Sequence, residues 1–100
     1  MKILTVFALL FSTSLYAEEV VSSYTCTHED NDFVRKVKII HMVPGCEVTY
    51  IKADETDNKM GKVIYSAQNS TDYCDEKGSD FVAEKLEKKY GWICQDELKK

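Results

Sequence analysis

The chain has 100 residues, 44% hydrophobic and 30% charged, with a formal charge of −4 at pH 7. That length makes one domain whose core alone supplies modest net stability, so a covalent staple is expected. The acidic balance argues against general nucleic-acid binding, which rests on clustered Lys and Arg neutralising phosphates, and it disfavours adhesion to anionic lipid headgroups.

Met1-Lys2 give a short positive start, Ile3 to Leu15 an apolar stretch broken only by Thr5, Ser12, Thr13 and Ser14, and Leu15-Tyr16-Ala17 a small-residue end. This order is that of a secretory signal peptide cleaved after Ala17. The stretch is shorter than the roughly 20 residues of a membrane span. The expected address is periplasmic or secreted, with no membrane attachment after cleavage. Loss of residues 1–17 removes Lys2 and no acidic residue, so the single domain at 18–100 carries −5, one less than the whole chain.

Tyr24 to Thr27 predict a short first strand, and His28-Glu29-Asp30-Asn31-Asp32 a polar turn. Phe33 to Met42 alternate in part, Val37 and Ile39 against Lys36 and Lys38, with the period of a second strand. Pro44-Gly45 is a turn dipeptide. Cys46 to Lys52 make the third strand, with Cys46, Val48 and Tyr50 on one face and Glu47, Thr49 and Ile51 on the other. A polar loop, Asp54 to Gly61, leads to a fourth strand over Lys62 to Gln68, with Val63, Tyr65 and Ala67 on one face.

Asn69-Ser70-Thr71-Asp72 opens a helix. Asp72, Asp75 and Glu76 suit the positive end of its dipole, and Lys85, Lys88 and Lys89 the other. Phe81, Val82, Leu86 and Tyr90 give helical spacing. Gly78 is expected to kink the helix or delay its start, and Gly91 stands where a C-terminal cap belongs. The fold class is α+β: an antiparallel meander of three or four strands with one C-terminal helix packed on one face.

All four cysteines, Cys26, Cys46, Cys74 and Cys94, lie in 18–100, and an even count in a short exported chain reads as disulfides. Topology chooses among the three connectivities. The Pro44-Gly45 turn puts Cys46 at one end of the sheet, and the fourth strand brings the start of the helix back to that end. The helix then travels roughly 27 Å at 1.5 Å per residue, which carries Cys94 to the end where Cys26 enters the first turn. The expected pairs are Cys46–Cys74 and Cys26–Cys94.

Few residues suggest chemistry. His41 on the same strand face as Cys46 resembles a base beside a nucleophile, but an oxidised Cys46 cannot attack. No C-x-x-C is present for a thioredoxin-like role. The acidic stretches at His28–Asp32 and Asp54–Asp57 lack the glycine and the glutamate of a calcium loop, and read as solvated turns whose Asp and Asn bond nearby backbone. Neither a nucleophile elbow nor a phosphate loop occurs. No catalytic residue, metal or cofactor is therefore assigned. With the helix over the Val37–Ile39–Val48–Tyr50 face, Ile40, Met42, Ile51 and Ile64 fall on the outer face among Lys36, Lys38, Glu47 and Thr49. An apolar patch on a charged sheet marks a candidate partner surface.

The run Pro44-Gly45-Cys46-Glu47-Val48-Thr49-Tyr50-Ile51-Lys52, then Tyr65-Ser66-Ala67-Gln68-Asn69, Tyr73-Cys74, Phe81-Val82, Leu86 and Gly91-Trp92-Ile93-Cys94, resembles a group of small exported four-cysteine proteins of Gram-negative bacteria. The shared positions are cysteines, strand residues and helix-core residues. The resemblance implies a periplasmic address and no catalytic residues. The expectation is a non-catalytic domain that binds another envelope or extracellular macromolecule, with a protein of the envelope as the candidate partner, through its open sheet face. Two alternatives stand beside it: an inhibitor of a hostile hydrolase, which would abolish lysozyme or protease activity on mixing, and a small enzyme of unfamiliar type.

Overall fold

The computed structural model describes residues 18–52 and 61–98; the expected signal peptide and the acidic stretch at Asp54–Asp57 lie outside them. Five strands, β1 (Glu19–His28), β2 (Asn31–His41), β3 (Cys46–Lys52), β4 (Lys62–Ala67) and β5 (Ile93–Asp96), form one sheet in the order β4-β3-β2-β1-β5. Every pairing is antiparallel. The helix, α1 (Asp72–Asp80), runs on as a π-helical segment over Phe81–Lys89 and packs on one face. Among the described residues, no helix is long and apolar enough to cross a membrane.

The α+β class, the meander and the single covering helix agree with the sequence reading, and the sheet exceeds it by one strand. β5 follows the helix and pairs with β1, so that Cys26 lies directly opposite Cys94. β1 is also longer than the expected Tyr24–Thr27, because a bulge between Val20 and Ser22 breaks the alternation there.

Both expected disulfides are present. Cys26–Cys94 joins β1 to β5 with Cα atoms 4.0 Å apart, and Cys46–Cys74 joins β3 to α1 at 6.0 Å. They flank the core of Val37, Ile39, Val48, Val82 and Leu86.

The helix meets the sheet through a four-residue repeat, with Cys74, Gly78, Val82 and Leu86 all buried. In an α-helix a four-residue step overshoots one turn by about 40°; the wider π-helical turns reduce that drift and keep Val82 and Leu86 on the sheet side. Gly78 neither delays nor breaks the helix. A Cβ there would stand 2.6 Å from Ile39 Cδ1, so glycine is what lets the helix rest on β2. At the helix start Ser70 Oγ accepts the Tyr73 N–H at 3.2 Å.

A second bulge corrects the fourth strand. The register steps from Val48 opposite Tyr65 to Thr49 opposite Val63, which leaves Ile64 as the extra residue. Val63 therefore joins the outer face, 47% exposed, while Ile64 packs against the core cluster.

Candidate functional site

Of the four residues expected to form a partner surface, Ile40 and Ile51 lie on the outer face, opposite Glu47 and Lys36 respectively, and both are half-buried. The chain at Gly61 presses against this face, where a Cβ would meet Ile51 Cγ1 at 2.7 Å and Thr49 Cγ2 at 2.6 Å. Met42 lies at the turn after β2 and lines a cavity of about 320 Å³ with Pro44, Glu47 and Ser66. Ile64 is the correction: the bulge turns it to the helix side. The expected patch is thus divided among three places.

Ile64 instead helps floor a cavity of about 400 Å³ on the helix side, at the end of the sheet away from the Pro44-Gly45 turn. Strand alternation supplies one wall. Arg35 has the parity of Val37, and Lys52 that of Tyr50, so both point inward, and the register sets Arg35 directly opposite Lys52. Like charges in that position repel at a separation of about 5 Å between Cβ atoms. Tyr50 meets Phe81 edge-on, with ring centroids 5.1 Å apart. Leu86 completes the floor, and Lys85 joins the cations from the helix.

The end of the helix supplies the other wall. Gly91, at φ +76°, reverses the chain and sets Tyr90 and Trp92 beside the cavity; a left-handed backbone here suits glycine. His28 fixes this reversal from the end of β1. Its Nε2 donates to the Tyr90 carbonyl at 2.9 Å, its Nδ1 accepts the Asp30 N–H at 3.1 Å, and its ring meets Trp92 edge-on at 5.0 Å. The Arg35 guanidinium lies 4.9 Å above the Trp92 ring and 5.7 Å from that of Phe33. The Lys52 ammonium lies 5.9 Å from the Tyr50 ring.

Among the described residues the cleft has three cations and four aromatic rings, and no carboxylate. Guanidinium and ammonium groups bind carboxylate or phosphate oxygens, and the rings offer rigid apolar area. The arrangement can hold an anion that carries an apolar body.

The residues considered for thiol chemistry are otherwise engaged. Cys46 is in a disulfide. His41 Nε2 is 2.7 Å from Asp75 Oδ1, joining β2 to α1 beside a cavity of about 230 Å³ that Ser22 and Ser79 also line. Among the described residues, no group of three or more His, Cys, Asp or Glu could hold a metal ion.

Sequence reading missed the cleft, although half of it was visible in strand parity: extending the Val37–Ile39 and Val48–Tyr50 faces by one step reaches Arg35 and Lys52. Lys85 and Tyr90 reach it from the helix, where Tyr90 shares the spacing of Phe81, Val82 and Leu86; Trp92 joins only through the Gly91 reversal, which leaves no periodic signal. Comparison with protein-family models, with curated proteins and with solved structures finds no match.

Proposed function

We propose that the protein is an exported, non-catalytic domain that binds another macromolecule of the cell envelope or its surroundings, and that the aromatic and cationic cleft is the surface it uses. The observation that carries this reading is the convergence of Arg35, Lys52 and Lys85 on one apolar-floored cleft in a chain of net negative charge. Cations gathered on one side of an acidic protein concentrate an anionic partner there. Aromatic residues and Arg are also the types that dominate binding energy at interfaces. The disulfides support a compartment outside the cytoplasm, where such bonds persist. The apolar stretch before Ala17 and the likeness to small exported proteins support export.

A second reading keeps the outer sheet face as the surface, favoured by Val20 and Val63, which are 41% and 47% exposed on that side. Capture from envelope extract separates the two. The oxidised protein is the bait, with Lys52→Glu/Lys85→Glu and Ile40→Lys variants beside it. A partner lost by the first variant and kept by the second supports the cleft; the reverse pattern moves the site to the outer face and refutes it.

A further inference from the structure

We infer that Cys26–Cys94 is a thiol-exchange site. A dithiol reductant attacks Cys94, the bond opens while Cys46–Cys74 stays closed, and β5 leaves the edge of the sheet. This holds whichever surface binds the partner. Access, the anchoring of β5 and the polar atoms at its seam all point the same way.

In thiol–disulfide exchange a thiolate must reach one sulfur while the other leaves, so access decides which bond reacts. Cys46 and Cys74 are 1% and 0% exposed, between β3 and the helix. Cys26 is also 0% exposed, but Cys94 is only partly buried and sits on β5, at the edge of the sheet. Attack therefore falls on Cys94, with Cys26 as the leaving group.

Little else holds β5 in place. None of its four residues is buried. Besides the ladder to β1, the Glu97 N–H donates to the Ser23 carbonyl at 2.8 Å, the Ser23 N–H to Asp96 Oδ1 at 3.1 Å, and the Cys94 N–H to the exposed Glu87 carboxylate at 3.3 Å. A short edge strand with so little buried area offsets little of the entropy lost in ordering it, so the disulfide is its main anchor.

The seam itself is under-satisfied. Among the described residues, the buried side-chain oxygens without a hydrogen-bond partner are Thr25 Oγ1 and Asp96 Oδ2. Both belong to the β1–β5 ladder, where Thr25 stands opposite Gln95 and Asp96 opposite Tyr24. A buried acceptor without a donor disfavours the state that buries it, so closing this seam carries a penalty that opening it removes.

One thiolate of the dithiol attacks Cys94 Sγ and forms a mixed disulfide. The bond to Cys26 breaks, and Cys26 leaves as a thiolate that takes up a proton. The second thiolate then attacks its own partner sulfur in the mixed disulfide, forming the reductant's cyclic disulfide and releasing Cys94, which takes the second proton. Two electrons and two protons pass from the dithiol to the cysteine pair. Release stops at Trp92, whose N–H donates to the Leu86 carbonyl at 2.9 Å and whose ring meets His28 edge-on. The opened protein keeps its helix on four strands and presents β1 as a new edge carrying the Cys26 thiol, the kind of edge that pairs with another strand.

The test treats the oxidised protein with graded dithiothreitol, traps thiols with iodoacetamide and maps them by mass spectrometry. A two-electron-reduced species alkylated at Cys26 and Cys94 should form about tenfold or more faster than one alkylated at Cys46 and Cys74. Opening of both bonds together, or of Cys46–Cys74 first, would overturn the inference. Glutathione, a monothiol, should leave its adduct on Cys94; an adduct on Cys26 would overturn the assigned point of attack. Amide hydrogen exchange of the trapped species should be fast at residues 93–97, with protection kept in β2 and β3. Protection kept at β5, or lost throughout the sheet, would refute its selective release.

Discussion

Replacing Gly78 by Ala sets two well-measured effects against each other at one atom. Ala in a helix interior is more favourable than Gly by about 1 kcal/mol, so helix propensity predicts a more stable protein. The added Cβ, however, would lie 2.6 Å from Ile39 Cδ1, 2.7 Å from Ile39 Cγ1 and 3.4 Å from Val48 Cγ2. Carbon atoms rest at about 3.5–4.0 Å, so Ile39, which is 1% exposed, would have to yield by most of an ångström. Overpacking of this kind costs about 1–3 kcal/mol. The difference is a net loss of about 1 kcal/mol, or a fall in Tm of about 4–8 °C in a domain of this size. Thermal and urea unfolding of the oxidised protein, followed by circular dichroism, measures it. In an Ile39→Ala background Cδ1 and Cγ1 are both gone, and the loss from Gly78→Ala should shrink by half or more. A variant that melts higher than the parent would refute the close helix–sheet contact.

The β4 bulge is tested by a pair of neighbours: Val63→Lys on the outer face should change stability by under about 0.5 kcal/mol, whereas Ile64→Lys, aimed at the core cluster, should cost about 2 kcal/mol or more. Equal effects in urea unfolding would contradict the register. His41→Ala removes the 2.7 Å contact with Asp75 and should cost about 0.5–1 kcal/mol, kept small because the Asp75 side chain is 48% exposed. A double-mutant cycle with Asp75→Ala isolates the pair, and zero coupling would remove it from the account. Removal of Cys46–Cys74 by paired Ala substitutions should lower stability by about 2–4 kcal/mol, read by urea unfolding, and an unchanged midpoint would argue that the bond does not form.

The disulfide pairs were legible because they follow from chain direction alone: a turn at Pro44-Gly45, an antiparallel return, and a helix long enough to cross the sheet. Where the reading failed, the cause was local. Period two assumes an unbroken ladder, and Val63 and Ile64 are both apolar, so either one satisfies the pattern and only the bulge decides. β5 has four residues, Ile93–Asp96, too few to show alternation, and its partner β1 lies at the far end of the chain. Gly78 read as a weakness in a helix because its value lies in Ile39, a contact between elements. For the site, Arg35 and Lys52 could have been placed by parity and Tyr90 by helical spacing, but Trp92 depends on the Gly91 reversal and on His28 reaching across from the end of β1.

Trp92 is the only tryptophan in the chain, and it lines the cleft, so its fluorescence reports directly on the charge there. Quenching by iodide and by caesium, each scaled to free N-acetyltryptophanamide, compares an anion with a cation at the same ring. The account predicts that iodide quenches Trp92 more efficiently than caesium even though residues 18–100 carry −5, and that Lys52→Glu/Lys85→Glu reverses the order. More efficient quenching by caesium in the parent protein would mean that the cleft follows the acidic field of the whole molecule, and would contradict its role as an anion-binding site.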